Sequence, residues 1–240
     1  MPMPRFFCSA ALRAHTAIDL PEALAHHALR VLRLADGTAI TLFDGQGGQY
    51  PATLRVQGRR AQAQLGTHDP AERELQGRLM LLQGIASGDK MDWVIEKAVE
   101  LGVYAVAPVM AERSVLRLSG ARLDKRLAHW RAIVQAASEQ CGRNRLMRVL
   151  DPAPLAACLE GLDGPALFAH PEGGQSFDQA LQSVDRRLSL LVGPEGGWSD
   201  AELALGQRRG LQPVRFGPRV LRTETAGLAM AAAATALLDW

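Results

Sequence analysis

Cysteine is scarce in this chain, and the three present, Cys8, Cys141 and Cys158, lie far apart. They are too few and too scattered for a zinc site or a disulfide framework, which leaves three reduced thiols. No His-x-x-x-His pair and no carboxylate-rich ligand pattern occurs, so no metal is expected. No apolar run is long enough to span a bilayer, so no membrane association is expected. Residues 1–7 lack the apolar core of a signal peptide, which points to a cytoplasmic protein. A dinucleotide fold is excluded as well, because no Gly-x-Gly-x-x-Gly follows an early strand. Residues 84–91 look superficially like a phosphate loop, but Asp89 separates Gly88 from Lys90 and would repel a triphosphate. Lysine is nearly missing: it occurs only at 90, 97 and 125, so arginine carries almost all the positive charge. Arginine can grip phosphate with two donors and stack on bases, although a skewed genome gives the same abundance.

What is present is an ordinary globular composition, 48% hydrophobic and 22% charged over 240 residues, enough for one large or two modest domains. The net charge of +2 hides an uneven distribution: residues 113–148 hold nine Lys or Arg against two acids. Such a segment attracts a phosphate backbone, or else forms a solvated face paired with acids from elsewhere.

The pattern changes across the polar residues 67–75. Before them, a helix over 22–32 precedes short β-type segments, 39–43 and 50–56, separated by Asp44-Gly45. After them, strands and helices alternate. Apolar strands are expected over 79–85, 103–109, 166–169, 188–192 and 214–216. Helices are expected over 89–101, 123–138 and 224–240, the first with Met91, Val94, Ile95, Ala98 and Leu101 on one face. Alternation of this kind gives an α/β fold with a parallel sheet covered on both faces.

Two loops stand out. Leu190-Leu191-Val192-Gly193-Pro194-Glu195-Gly196-Gly197-Trp198-Ser199 reads as a buried strand running into a Gly/Pro turn. Ser199 and Glu202 then form a capping box for the next helix. Val220-Leu221-Arg222-Thr223-Glu224-Thr225-Ala226 is a polar loop entering an Ala-rich helix. Glycines in the first loop let a ligand approach the backbone closely. Together the two loops can line one pocket for a small molecule.

These two stretches, with Lys90-Met91-Asp92-Trp93, Glu96 to Val103, Glu112-Arg113-Ser114, Trp130, Glu139-Gln140-Cys141-Gly142-Arg143, His27 to Arg33 and Leu42-Phe43-Asp44-Gly45, resemble the bacterial 16S ribosomal RNA uracil-N3 methyltransferase family. Their order and spacing carry the resemblance over nearly the whole chain. The sequence departs from the family pattern just after Arg143, where residues 144–149 lack a proline.

The resemblance implies a SPOUT-type α/β knot, a mostly parallel sheet with a deep C-terminal trefoil knot, over residues 71–240. It implies a small PUA-like β-barrel that binds RNA over residues 1–70. It implies S-adenosylmethionine as cofactor, N3 of a uridine (position 1498 of 16S ribosomal RNA in the small subunit) as acceptor, and a homodimer formed through the last helix. The cofactor is expected against Gly193, Pro194, Glu195, Gly196, Gly197, Leu221, Arg222, Thr223, Thr225 and Ala226. Phe168 and Leu191, at strand ends where α/β sheets collect ligands, are expected to join them.

Removing the N3 proton needs a general base within hydrogen-bond reach. Glu224, Glu195 and Glu139 have the right chemistry, and the sequence does not choose among them. Arg222 suits charge developing on the uracil oxygens, although Arg222 and Glu224 could equally pair with each other or cap the last helix. Arg30, Arg33, Arg113, Arg143, Arg145 and Arg148 are expected to bind RNA phosphates. A SPOUT enzyme acting on another RNA site, or a module that binds RNA without catalysis, remains an alternative.

Overall fold

The computed structural model describes residues 3–58, 60–115, 119–172 and 174–240. Arg117, one of the basic residues of the 113–148 segment, lies outside them. The chain forms two compact units, one of Met1–Glu74 with Ser138–Leu146, the other of Leu75–Ala137 with Met147–Trp240.

The first unit is built on a five-stranded sheet. Its strands are β1 (Arg5–Phe7), β2 (Ala17–Asp19), β3 (Ala39–Phe43), β4 (Tyr50–Gln57) and β5 (Arg60–Leu65), in the order β1-β3-β4-β5-β2. The pairs are antiparallel except β1 with β3. Alternation sets the face: Ala52 and Leu54 of β4 go inward, with Ile40, Leu42, Ala63 and Leu65 from the flanking strands. The helix expected over 22–32 divides. α1 covers Glu22–His26, and the chain continues as a π-helical turn over His27–Val31, where the Leu32 N–H reaches the His27 carbonyl at 3.0 Å. The wider turn shifts the apolar stripe off its 3.6-residue period, so Val31 and Leu32 stay exposed.

Residues 138–146 complete this unit through side-chain bonds. Glu139 Oε1 accepts the Phe7 N–H at 2.8 Å. Asn144 accepts from Arg5 at 2.8 Å and donates to the Ala71 carbonyl at 2.6 Å. Arg143, almost fully buried, binds Glu74 through two bonds of 2.6 and 3.0 Å.

The second unit holds β6 (Arg78–Gly84), α2 (Lys90–Glu100), β7 (Ala105–Val109) and all but the last turn of α3 (Gly120–Cys141). There follow β8 (Arg148–Val149), α4 (Leu155–Glu160), β9 (Ala166–Ala169), β10 (Gln175–Ser176), α5 (Phe177–Leu181) and β11 (Arg187–Val192). The chain closes with α6 (Asp200–Arg208), β12 (Gln212–Arg215) and α7 (Thr223–Leu237). The seven strands pair in parallel in the order β10-β12-β9-β11-β6-β7-β8. β7 is buried throughout, and β6 and β11 nearly so, as expected for a sheet covered on both faces. α2 buries Met91, Val94, Ile95 and Ala98 of the expected stripe and Val99 beside them, while Leu101, past the helix end, is only half-buried. α7 lies on β6, β11 and α2, and Gly227 permits the approach: a Cβ there would stand 2.8 Å from Leu81 Cδ1. Among the described residues no helix is long and apolar enough to cross a membrane.

Candidate active site

In a parallel sheet all strands end at the same edge, and the loops leaving that edge can converge. Here β9, β11 and β12 end at Ala169, Val192 and Arg215, and all three residues line one cavity of about 590 Å³. Its remaining wall comes from Arg113, from His170 and Pro171 after β9, from residues 193–195, 197 and 198, from the loop after β12, and from the start of α7, where Ala226 and Met230 face it. Walls of Val192, Pro194, Leu221, Ala226 and Met230 are apolar, while Arg113, Arg215, Arg219 and Arg222 border the same space.

The 193–199 loop is braced at every point. A Cβ on Gly84 would collide with the Pro194 backbone, so β6 must end in glycine for the loop to cross it. A Cβ on Gly193 would stand 3.2 Å from both the Gly197 carbonyl carbon and Trp198 Nε1. The Gly197 N–H closes the turn on the Pro194 carbonyl at 2.8 Å, with Gly197 at φ +68°. Ser199 and Glu202 form the expected reciprocal cap of α6. Glu202 also accepts the Glu112 N–H at 3.0 Å.

A buried strut joins this loop to the second one. Gln83, fully buried in β6, donates to Thr223 Oγ1 at 2.8 Å, and Thr223 donates to the Gly193 carbonyl at 2.5 Å. The first residue of α7 thereby holds the first residue of the glycine loop.

Glu195 ties the loop to the turn after β6. Its Oε1 accepts from the Ser87 N–H at 2.9 Å, the Ser87 hydroxyl at 2.6 Å and the Lys90 ammonium at 2.9 Å. Burial alone would raise this carboxyl, but the bonds from Ser87 and Lys90 outweigh it and bring it down to about 2. Glu195 is therefore an anion fixed in place. Lys90 also stands 3.9 Å from Glu224 Oε2, a buried oxygen without a hydrogen bond. Trp198 Nε1 is likewise buried and unpaired, and Trp198 lines the cavity.

Of the residues expected at the cofactor, Gly193, Pro194, Glu195, Gly197, Leu221, Arg222, Thr223 and Ala226 line this cavity. Gly196 packs instead on Arg113, whose Cβ would be 3.0 Å from an added Cβ, and Thr225 faces solvent. Phe168 and Leu191 lie in the core with Trp198, the Phe168 and Trp198 rings 5.0 Å apart. The next residue on each strand, Ala169 and Val192, reaches the wall, because successive side chains of a strand point to opposite faces.

Glu139 belongs to the first unit, where it holds the Phe7 N–H; burial first of all raises its carboxyl, against that bond, His27 and Arg5. Arg143 is closed to a phosphate by its burial against Glu74, which corrects its expected role. Arg145 pairs with Glu72 at 3.1 Å yet stays half exposed. Arg148 is exposed and reaches Tyr104 at 3.5 Å. Arg30 is exposed in the π-helical turn, and Arg33 is exposed just beyond it at φ +53°. Arg113 donates to the Gly196 carbonyl at 3.4 Å. Sequence reasoning missed Ser87, Lys90, Gln83 and Trp198 as site residues, along with Arg215, Arg219 and Met230.

The model of an RNA methyltransferase domain matches residues 73–235, and that of an RNA methyltransferase PUA domain matches residues 20–65. The chain belongs to this RNA methyltransferase family. Among relatives, ribosomal RNA small subunit methyltransferase E of Bacillus subtilis is 30% identical over 213 residues, covering 85% of this chain and 83% of that one. Its counterpart from Synechocystis is 32% identical over 92% of this chain and 74% of its own length. Among solved structures, ribosomal RNA small subunit methyltransferase E of Neisseria gonorrhoeae, bound to S-adenosylmethionine, aligns at a TM-score of 0.88 and 37% identity. A methyltransferase from Legionella pneumophila with bound S-adenosylmethionine aligns at 0.92 and 29%. Each alignment covers 98% of both chains. The expected mostly parallel α/β methyltransferase fold, with a PUA unit in front, is thus present in this RNA methyltransferase.

Proposed function

We propose that the protein transfers a methyl group from S-adenosylmethionine to N3 of a uridine in 16S ribosomal RNA, at position 1498 of the small subunit as its resemblance implies. The observation that carries this reading is the 590 Å³ cavity walled by the glycine loop and the start of α7. The cavity is of the size that holds small cofactors. Its residues suit this one: apolar walls for an adenine, bare backbone at Gly193, and the unpaired Trp198 N–H as a donor. S-adenosylmethionine bound there supplies an activated methyl group. The relatives' names and their bound cofactor support the same assignment.

The chain's own residues then divide the work. The glycine loop and the Gln83–Thr223 strut hold the cavity in shape before any ligand arrives. Glu195, ionised and bonded on one side, anchors the loop and takes no proton near neutrality. Of the three glutamates, Glu224 keeps a buried Oε2 without a hydrogen bond, and to it we assign the N3 proton, although it stands behind the residues that line the cavity. Arg222 answers the charge that develops on the uracil oxygens. Arg30 and Arg33 of the PUA unit, with Arg113, Arg145 and Arg148, meet RNA phosphates.

A homodimer through α7 belongs to the same proposal. The face of α7 turned away from the sheet, Thr225, Ala229, Ala232, Ala233 and Ala236, is made of small, accessible residues. So does the C-terminal knot, in which residues 193–199 and the start of α7 would be held by threading as well as by the strut. The protein would act in the cytoplasm.

The test is transfer of tritiated methyl from S-adenosylmethionine to small subunits of a strain lacking this protein, followed by nucleoside mass analysis. Appearance of 3-methyluridine is expected. Another methylated nucleoside would refute the N3 acceptor, and absence of cofactor binding by calorimetry would refute the whole reading.

A further inference from the structure

The loop that follows β12 differs in character from everything else around the cavity. Val220 is 80% exposed, the most exposed large apolar residue among those described. It stands between Arg219 and the Leu221-Arg222 pair, with Arg215 a few residues earlier. All three arginines are exposed, and none makes an ion pair among the described residues. No acid occurs between Gln212 and Thr223. Gly217, at φ +70°, turns the chain sharply, and Pro218 stiffens the tip. The stretch is thus an apolar knuckle between cations at the mouth of the cavity.

An apolar side chain flanked by arginines is the composition of a wedge that enters a base stack while its neighbours hold phosphates. The chemistry of the site calls for one. N3 lies in the middle of the pairing edge of uracil, where it is inaccessible while the base is paired and stacked. An enzyme acting there must take the base out of the stack. A base that leaves opens a gap, and the cost of unstacking falls if an apolar group fills it.

We propose that Val220 fills the gap left by the target uridine when that base turns into the cavity, and that Arg215 and Arg219 hold the RNA phosphates on either side. The occupant of this surface is the substrate strand itself. Three unpaired cations within eight residues favour a polyanion over a neutral or basic protein face. The inference rests on the N3-uridine reading and gives that reading a mechanism of access.

The experiment uses the full-length protein and reconstituted small subunits of two kinds. In one the target uridine keeps its native neighbour; in the other an abasic residue follows it, so that one stacking partner is missing. Wild type, Val220→Ala, Val220→Ile, and the Arg215→Gln and Arg219→Gln variants are compared in single-turnover methylation, with S-adenosylmethionine affinity read separately by calorimetry. With S-adenosylmethionine saturating, which sets aside any change in cofactor affinity because Val220 also lines the cavity, Val220→Ala is expected to be roughly tenfold slower on native subunits and close to wild type on abasic ones. Val220→Ile, which keeps the bulk, is expected to behave as wild type. Each arginine variant is expected to lower the slope of log affinity against log salt by about one unit.

Equal rates for wild type and Val220→Ala on native subunits would overturn the wedge. So would an equal loss on both substrates, which would mean that Val220 shapes the cavity. So would dissociation of a wild-type dimer by Val220→Ala in sedimentation, since Val220 would then be covered by a second copy. If wild type itself forms no 3-methyluridine on native subunits, it is the N3-uridine reading that fails, independently of Val220.

Discussion

Two loops border the cavity, and they are built in opposite ways. Residues 193–199 are fixed by the Gly84 close approach, the Gln83–Thr223 strut, three bonds to Glu195 and a capped helix. Residues 217–221 make no hydrogen bond or ion pair among the described residues, and their apolar tip faces water. Small, invariant ligands reward a site shaped in advance, because ordering a loop at the moment of binding costs affinity. A folded RNA presents a surface that must be met and rearranged, and a loop without internal bonds can follow it. On the proposed reading, the braced loop would serve the cofactor, and the unbonded one, which lines the same cavity, would also meet the RNA.

The contrast can be broken most strongly at Gly84. Gly84→Ala drives a methyl into the Pro194 backbone, and we expect a loss of about 1–3 kcal/mol in stability together with loss of S-adenosylmethionine binding, read by thermal unfolding and calorimetry. The matched change in the free loop, Gly217→Ala, meets nothing within 4 Å and is expected to cost only its backbone strain, ~1 kcal/mol. Similar results for the two variants would erase the distinction between the loops.

Thr223→Val comes next. It keeps the shape but leaves the Gln83 amide with only the Gly84 carbonyl and strands the Gly193 carbonyl, so cofactor affinity should fall about tenfold, the equivalent of about 1.4 kcal/mol. Affinity equal to wild type would show that the strut is not what shapes the loop.

The smallest effect belongs to Glu195 and depends on pH. A carboxyl held at about 2 instead of 4.5 contributes stability that is complete above the higher value and is lost as pH falls through the lower. The denaturant midpoint of wild type relative to Glu195→Gln should therefore be constant from neutrality to about pH 5. It should converge as the pH falls through the window between the two values. The side chain is 22% exposed, so the difference at neutrality is expected near 1 kcal/mol or less. A difference that grows toward acid would mean that Glu195 is not held as an anion.

How legible all this was in the sequence varied with the range of the interaction. Strands and helices carried by their own periodicity, such as β6, β9, β11 and α2, fall within two residues of the expected positions. β1 and β2, three residues each, are too short to show a period. The π-helical turn was hidden because one added residue in a helix leaves no mark on composition. The glycine loop and the residues after Val220 were legible as motifs, and the cavity gathers most of both. Their bracing was not: Ser87 and Lys90 stand more than a hundred positions from Glu195. Arg143 misled for the same reason, since the charge that neutralises it, Glu74, comes 69 residues earlier. Phe168 and Leu191 were one residue out, and in a strand one residue is the difference between core and wall.

The first unit includes residues 138–146, and this has a consequence for the order of events at synthesis. When Glu74 has been made, the unit still lacks the acceptor for the Phe7 N–H, the amide that engages Arg5 and Ala71, and the guanidinium that matches Glu74 itself. Two further strands, β6 and β7, and two helices, α2 and α3, must be translated first, on the order of seconds at ordinary elongation rates. The part of the chain that emerges first therefore cannot close its last bonds until the leading segment of the other unit, residues 75–137, has been made.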